Sequence, residues 1–131
     1  MASQIEPNIE WLLDYEMRLS VRHRRFVSLV MVDADKPLEM LEQVLSDSLR
    51  SSDVCFPENG GISIVMCETG SEEALRAIER FNRDTNGVIG MHYSVASFPT
   101  DAKTQTELTY VAQQRLRKAK RLETGSVVAE G

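Results

Sequence analysis

The spacing of apolar and polar positions along this 131-residue chain changes several times, and each change marks an element. Ile9, Leu12, Leu13 and Leu19 recur at helical spacing with Glu16 between them, and Asn8 stands at the N-cap position. A helix reaching about Arg24 is therefore predicted. Residues 26–32 form a continuous, valine-rich apolar run, the pattern of a central strand covered on both faces. Pro37 then opens a helix, because its fixed φ suits a first turn, and Leu38, Leu41, Val44, Leu45 and Leu49 repeat with helical spacing. Two short apolar runs, 54–57 and 62–67, flank Glu58-Asn59-Gly60-Gly61. Asn-Gly tolerates positive φ at both positions, so this stretch reads as a hairpin.

Ser71 with Glu72 and Glu73 starts a further helix, whose stripe is Ala74, Leu75, Ile78 and Phe81. Asn86-Gly87 ends the following loop, and residues 88–98 form a strand carrying Tyr93, Val95 and Phe98. Thr106 is the expected cap of a last helix with Leu108, Val111, Ala112, Leu116 and Ala119 on its inner side. Gly125 stops it, and Val127-Val128 adds a short edge strand. The order is a helix, then β-α-β-β-α-β, then a helix and a strand. That order predicts an α/β (α+β) fold, a ferredoxin-like palm with a mixed antiparallel sheet and flanking helices, gathered on one main face.

Composition narrows the function classes. Hydrophobic residues make up 42% and charged residues 27%, ordinary for one globular domain spanning 1–131. The longest apolar run, at 29–32, falls far short of the ~18 residues a membrane span needs. The N-terminus is polar and carries Pro7, so no secretory signal is read and the expected location is cytoplasmic. Cys55 and Cys67 sit in strand-like runs without metal-ligand spacing and are read as buried, reduced thiols. With two histidines, His23 and His92, and no cysteine pair, no metal or cofactor is expected. A net charge of −5 argues against nucleic acid as partner. Arg18, Arg22, His23, Arg24 and Arg25 nevertheless crowd the end of the first helix, and Arg115, Arg117, Lys118, Lys120 and Arg121 the end of the last. Two readings of these clusters stay open: end-capping on solvated faces, where cations offset the helix dipole, or a docking surface.

Several segments in this order resemble the GGDEF domain of bacterial diguanylate cyclases. The hairpin region carries the family's RxxD as Arg50 and Asp53, and a strand ending Met66-Cys67-Glu68-Thr69 where the family writes L-P-E-T. Residues 11–35 (WLLDYEMRLSVRHRRFVSLVMVDAD) resemble the family's opening helix, first strand and D-x-D. Residues 73–82 (EALRAIERFN), 92–101 (HYSVASFPTD) and 108–120 (LTYVAQQRLRKAK) resemble later family segments, with Gln113 and Arg117 departing from the last. The likeness covers roughly residues 9–128, with 1–25 as an opening helix and 26–128 as a GGDEF, nucleotidyl-cyclase-like core.

The resemblance implies two sites with different fates. The family condenses nucleotides on divalent cations held by a carboxylate after the first strand, matching Asp33 in the D-x-D with Asp35, and by another at the hairpin. At the hairpin the acidic pair falls on Gly60 and Gly61 counting from Glu68-Thr69, or on Gly61 and Ile62 counting from Asp53. Glu58 and Asn59, or Asn59 and Gly60, replace the glycines over the phosphates, and Glu58 would repel a triphosphate. The guanine-holding N-D-x-x-G-H-x-x-G-D is also missing, since only 17 positions separate Asp33 from Arg50. The expectation is a vestigial active site at Asp33, Asp35, Glu58, Asn59, Gly60 and Gly61, no catalysis, and Asp33 and Asp35 capping the loop before Pro37.

The second site is the family's inhibitory one, built from the RxxD and an arginine on the next helix. Its counterparts here are Arg50, Asp53 and Arg80. Arginine forks bind guanine edges and phosphates, and an aspartate accepts from guanine N–H groups. The resemblance thus implies a cyclic di-GMP-binding signalling module. An Arg–Asp pair that merely closes a helix end, in a protein-interaction or homodimerisation module without nucleotide, remains the alternative.

Overall fold

The computed structural model describes residues 8–58, 61–85 and 89–131, with the backbone alone at Leu38 and Glu58. The expected turn residues Asn59, Gly60, Asn86 and Gly87 and the expected strand residue Val88 lie outside these. The elements are α1 (Ile9–His23), β1 (Val27–Ala34), α2 (Leu38–Ser46), β2 (Asp53–Glu58), β3 (Gly61–Cys67), α3 (Ser71–Thr85), β4 (Met91–Phe98), α4 (Gln105–Ala119) and β5 (Val127–Val128). The sheet order is β2-β3-β1-β4-β5. All pairs are antiparallel except β4 with β5. This is the mixed α+β palm that the pattern predicts.

β1 is an inner strand between β3 and β4, as its unbroken apolar run requires. Its alternation serves two cores. Val30 and Val32 pack with Leu41, Leu45, Ile64, Ile78 and Phe81 under α2 and α3. Val27, Leu29 and Met31 pack with Leu13, Met17, Leu108 and Ala112 under α1 and α4. Helices therefore cover both faces, not one main face. The reason is legible in β1 itself: a strand whose successive residues 29–32 are apolar on both faces needs a cover on each side.

Local chemistry sets the element ends. Asn8 caps α1, its side-chain oxygen accepting from the Trp11 N–H at 2.8 Å. Arg24 closes that helix in the left-handed region (φ 55), its N–H returning to the Ser20 carbonyl. α1 buries Leu13, Met17 and Ser20, while Ile9, Leu12, Glu16 and Leu19 are half-buried, so its inner stripe lies to one side of the expected one. β1 starts at Val27 and runs on to Ala34; Phe26, expected inside the strand, is 46% exposed. The strand expected from residue 88 begins at Met91. Thr104, not Thr106, caps α4, accepting from the Glu107 N–H at 3.1 Å while Glu107 approaches the Thr104 hydroxyl in return. The spacing is that of a capping box, Thr104-x-x-Glu107, two residues ahead of the expected start, with the Glu107 carboxylate accepting the Lys103 N–H at 3.3 Å.

Candidate functional site: an arginine cleft and a closed metal corner

Glu58 pairs with Gly61 across the β2–β3 hairpin. Gly61 also faces Asp33 across the β1–β3 ladder. A Cβ added at Gly61 would collide with the Val32 carbonyl oxygen and lie 2.8 Å from its carbon. The hairpin thus approaches β1 so closely that only glycine fits, and in either register one of the positions that the resemblance makes acidic falls on this glycine. No carboxylate can stand at position 61 while this ladder persists.

Asp33 and Asp35 of the D-x-D each have a partner within the chain. Asp33 lies beside Lys120 of the segment after α4, with Oδ1 3.7 Å from Nζ. The two line a cleft of about 230 Å³ with Ser63, Gln113 and Leu116. An ammonium group thus stands next to the carboxylate that the resemblance assigns to a cation. Asp35 accepts from the Gly90 N–H at 2.9 Å, and its own N–H returns to the Gly90 carbonyl at 3.1 Å. Asp35 therefore ties β1 to the lead of β4 and does not cap the loop before Pro37. A Cβ at position 90 would come within 2.8 Å of Asp35 Oδ2, so glycine admits this contact. Among the described residues no group of three or more His, Cys, Asp or Glu side chains is placed to hold a metal ion.

The other three candidates converge. Arg50 precedes β2, Asp53 begins it, and Arg80 lies midway along α3. All three line one cleft of about 160 Å³ with Met66, Thr69, Glu73, Arg76 and Ala77. Asp53 Oδ2 accepts the Arg50 N–H at 2.9 Å, which fixes the RxxD turn. The Arg50 guanidinium donates to the Thr69 hydroxyl and, at 3.4 Å, to the Cys67 carbonyl. It lies 3.8 Å from Asp53 Oδ1, which makes no hydrogen bond although the Asp53 side chain is only 2% exposed. Arg80 donates to the Ser48 carbonyl at 3.3 Å, and the Ser48 hydroxyl to Asp84. Both arginines are therefore held at the cleft mainly by neutral acceptors, and a guanidinium so held keeps its charge available to an anion. Arg76, one turn before Arg80, adds a third guanidinium that motif spacing did not single out. Its position at i−4 from Arg80 on a helix is the signal that finds it.

Two sequence expectations outside this cleft need correction. Arg115 is not part of a solvated cluster: it is buried, donating to Asp101 Oδ2 at 3.0 Å, Asp101 Oδ1 at 3.1 Å and the Val95 carbonyl at 2.8 Å. Cys55 and Cys67 are free thiols, but half-buried rather than buried. Burial, with Asp53 and Glu42 nearby, raises the Cys55 pKa to about 11. Burial and the neighbouring Glu16 raise that of Cys67 to about 12.

No protein-family profile and no curated protein sequence matches the chain. Solved structures do, and the fold is that of GGDEF domains. The GGDEF domain of YfiN (TpbB) from Pseudomonas aeruginosa superposes with a TM-score of 0.86 at 19% identity, over 93% of each chain. The active GGEEF domain of a diguanylate cyclase from Vibrio cholerae gives 0.80 at 16% identity, over 92% of this chain and 93% of that one. A microbial GGDEF domain described in its interaction with cyclic di-GMP gives 0.71 at 15% identity, over 90% and 85%.

Proposed function

We propose that this chain is a non-catalytic, cytoplasmic signalling module that binds cyclic di-GMP through Arg50, Asp53 and Arg80. One observation carries the reading: residues from two separate stretches of sequence, the RxxD and α3, line a single cleft, where Arg76 joins them. A cleft of about 160 Å³ is smaller than the ~300–1,000 Å³ usual for a whole ligand. It suits a guanine edge or a phosphate, with the rest of the dinucleotide lying over the α3 surface. Arg50 and Arg80 supply forked donors, and Asp53 supplies an acceptor for guanine N–H groups.

The non-catalytic half rests on Gly61 and Lys120. A two-cation phosphoryl-transfer site needs more than one carboxylate to hold its metals. Here Asp33 faces an ammonium group, and position 61 admits no side chain. No described helix is long and apolar enough to cross a membrane.

Calorimetric titration with cyclic di-GMP, and separately with GTP and Mg²⁺, tests both halves. Binding in the micromolar range, about −8 kcal/mol, is expected for the dinucleotide. Arg50→Ala and Arg80→Ala should each lose ~1.5–3 kcal/mol, roughly ten- to a hundred-fold, whereas Arg117→Ala on α4 should bind normally. No heat with cyclic di-GMP at high micromolar protein sinks the binding reading. It leaves the interaction module, whose support is the exposed aromatic surface of α1.

A further inference from the structure

We propose that the corner between α1 and β1 docks an acidic segment of a partner protein, one that presents a large apolar side chain between carboxylates. The proposal does not depend on nucleotide binding. Val21, Phe26, Phe98 and Pro99 wall a cleft of about 300 Å³ at this corner. Val21 and Phe26 are 68% and 46% exposed, while Phe98, at 5%, lies deepest. Single exposed apolar residues need no explanation, but two that flank the same hollow form a patch with affinity for another apolar group. The volume stands at the bottom of the ~300–1,000 Å³ range of whole-ligand pockets, so it suits one large side chain.

A cation stands on either side of the hollow. Arg24 lines it from the end of α1. Lys103 reaches it from the loop after β4, its ammonium group donating to the Pro99 carbonyl at 3.0 Å. Among the described residues neither cation has a carboxylate partner, and the Arg24 side chain makes no hydrogen bond. Arg25, which also lines the cleft, is by contrast paired with Glu68 at 2.6 Å. Two pieces of chain far apart in sequence thus bring uncommitted positive charge to an apolar hollow, in a molecule of net charge −5. A segment with one apolar side chain and a carboxylate on each side is the complement of that arrangement. The backbone points the same way. Arg24 and Glu68, the two non-glycine residues with positive φ among those described, both stand at this corner. A helix closed in the left-handed region usually ends there on glycine, which escapes the Cβ strain. Arg22 and His23 in the last turn already answer the helix dipole, so the fold does not need the Arg24 guanidinium for it. Backbone strain of this kind persists where a side chain has other work. A bilayer is disfavoured as occupant, because a flat surface leaves the recess empty. A nucleic acid is disfavoured by the chain's net negative charge.

Fluorescence anisotropy with the fluorescein-labelled peptide Glu-Glu-Phe-Glu-Glu tests this on the whole chain, without cyclic di-GMP. Binding with a Kd on the order of 100 μM is expected at low salt, weakening as salt rises. Two control peptides, one with alanine for phenylalanine and one with glutamines for the glutamates, should each bind at least about fivefold more weakly. Phe26→Ala, Arg24→Gly and Lys103→Gln should each weaken binding of the parent peptide about three- to tenfold. Arg24→Gly should at the same time raise the melting temperature by a few degrees, since it relieves the positive-φ strain. Reduced affinity in a more stable protein is not a folding defect. Arg121→Gln, which removes an exposed cation beyond the far end of α4, should bind normally. No binding up to about 1 mM overturns the proposal. So does equal affinity for all three peptides, or affinity that survives both Arg24→Gly and Phe26→Ala. Cosedimentation with phosphatidylglycerol vesicles in place of peptide binding would assign the patch to a lipid surface and sink the protein-partner reading.

Discussion

Gly61 is where a single residue decides most. In its ladder position any side chain meets the Val32 carbonyl, so Gly61→Glu does not simply restore an acidic hairpin. Overpacking against backbone costs about 1–3 kcal/mol where neighbours can shift. Gly61→Glu and Gly61→Asp should therefore lower the melting temperature and still give no cyclic di-GMP from GTP and Mg²⁺. A stable variant with turnover would show that the β1–β3 register can slip. The thiols give a second test at this scale. With pKa values of about 11 and 12, Cys55 and Cys67 hold little thiolate near neutrality. Iodoacetamide should modify the native chain on the order of a hundredfold slower than the unfolded one. That Arg50, Asp53 and Arg80 line one cleft was readable from the sequence, because the RxxD and the next helix flank the same hairpin. Arg115 was not, because an arginine at i+3 from Ala112 looks the same in sequence whether it faces solvent or a buried aspartate. Only Asp101, brought near by the β4–α4 turn, gives Arg115 a reason to be inside.

That pair matters most at the scale of elements, since it anchors α4 to the end of β4. Burial alone would raise the Asp101 pKa, but hydrogen bonds from Arg115 and from the Ser97 N–H, with the nearby guanidinium charge, hold it below the usual carboxylate value. A carboxyl with a depressed folded pKa stabilises the fold above its unfolded value, near 4, and loses that contribution as pH falls through the folded value. As pH falls below about 4, the native chain should therefore lose stability more steeply than Asp101→Asn, as urea melts at several pH values would show. At pH 7, Arg115→Met should cost about 2 kcal/mol, reduced from a fully buried pair's value because Asp101 keeps its Ser97 bond and some solvent. Equal acid sensitivity in both proteins would mean the pair is not what fixes α4. Elements themselves were largely legible, because apolar period and hairpin chemistry are local. Their faces were less so: α1 carries leucines on more than one side, and only packing shows that Met17 and Ser20 face the sheet. The α4 start was missed because Thr104 and Thr106 both look like caps, and only Thr104 has a glutamate three residues on.

For the whole molecule, the proposed ligand and the fold share one free-energy account. A ligand that binds only the native state raises stability by RT ln(1 + [L]/Kd), about 2.7 kcal/mol at a hundred times Kd. For a chain of this length that corresponds to a rise of roughly 10 °C in melting temperature. Arg50 complicates the reading, since it also donates to Thr69 and the Cys67 carbonyl and so ties the start of β2 to the end of β3. Arg50→Ala should therefore do two separable things: lower the melting temperature without ligand by a few degrees, and cut the rise with cyclic di-GMP to about half or less. Among the described residues Arg76 makes no side-chain hydrogen bond or ion pair, so Arg76→Ala should leave the ligand-free melt unchanged and reduce only the rise. A wild-type melt insensitive to cyclic di-GMP at high micromolar concentration would leave Arg50 with its structural role alone. A rise that survives in both variants would mean that the dinucleotide binds elsewhere on the fold.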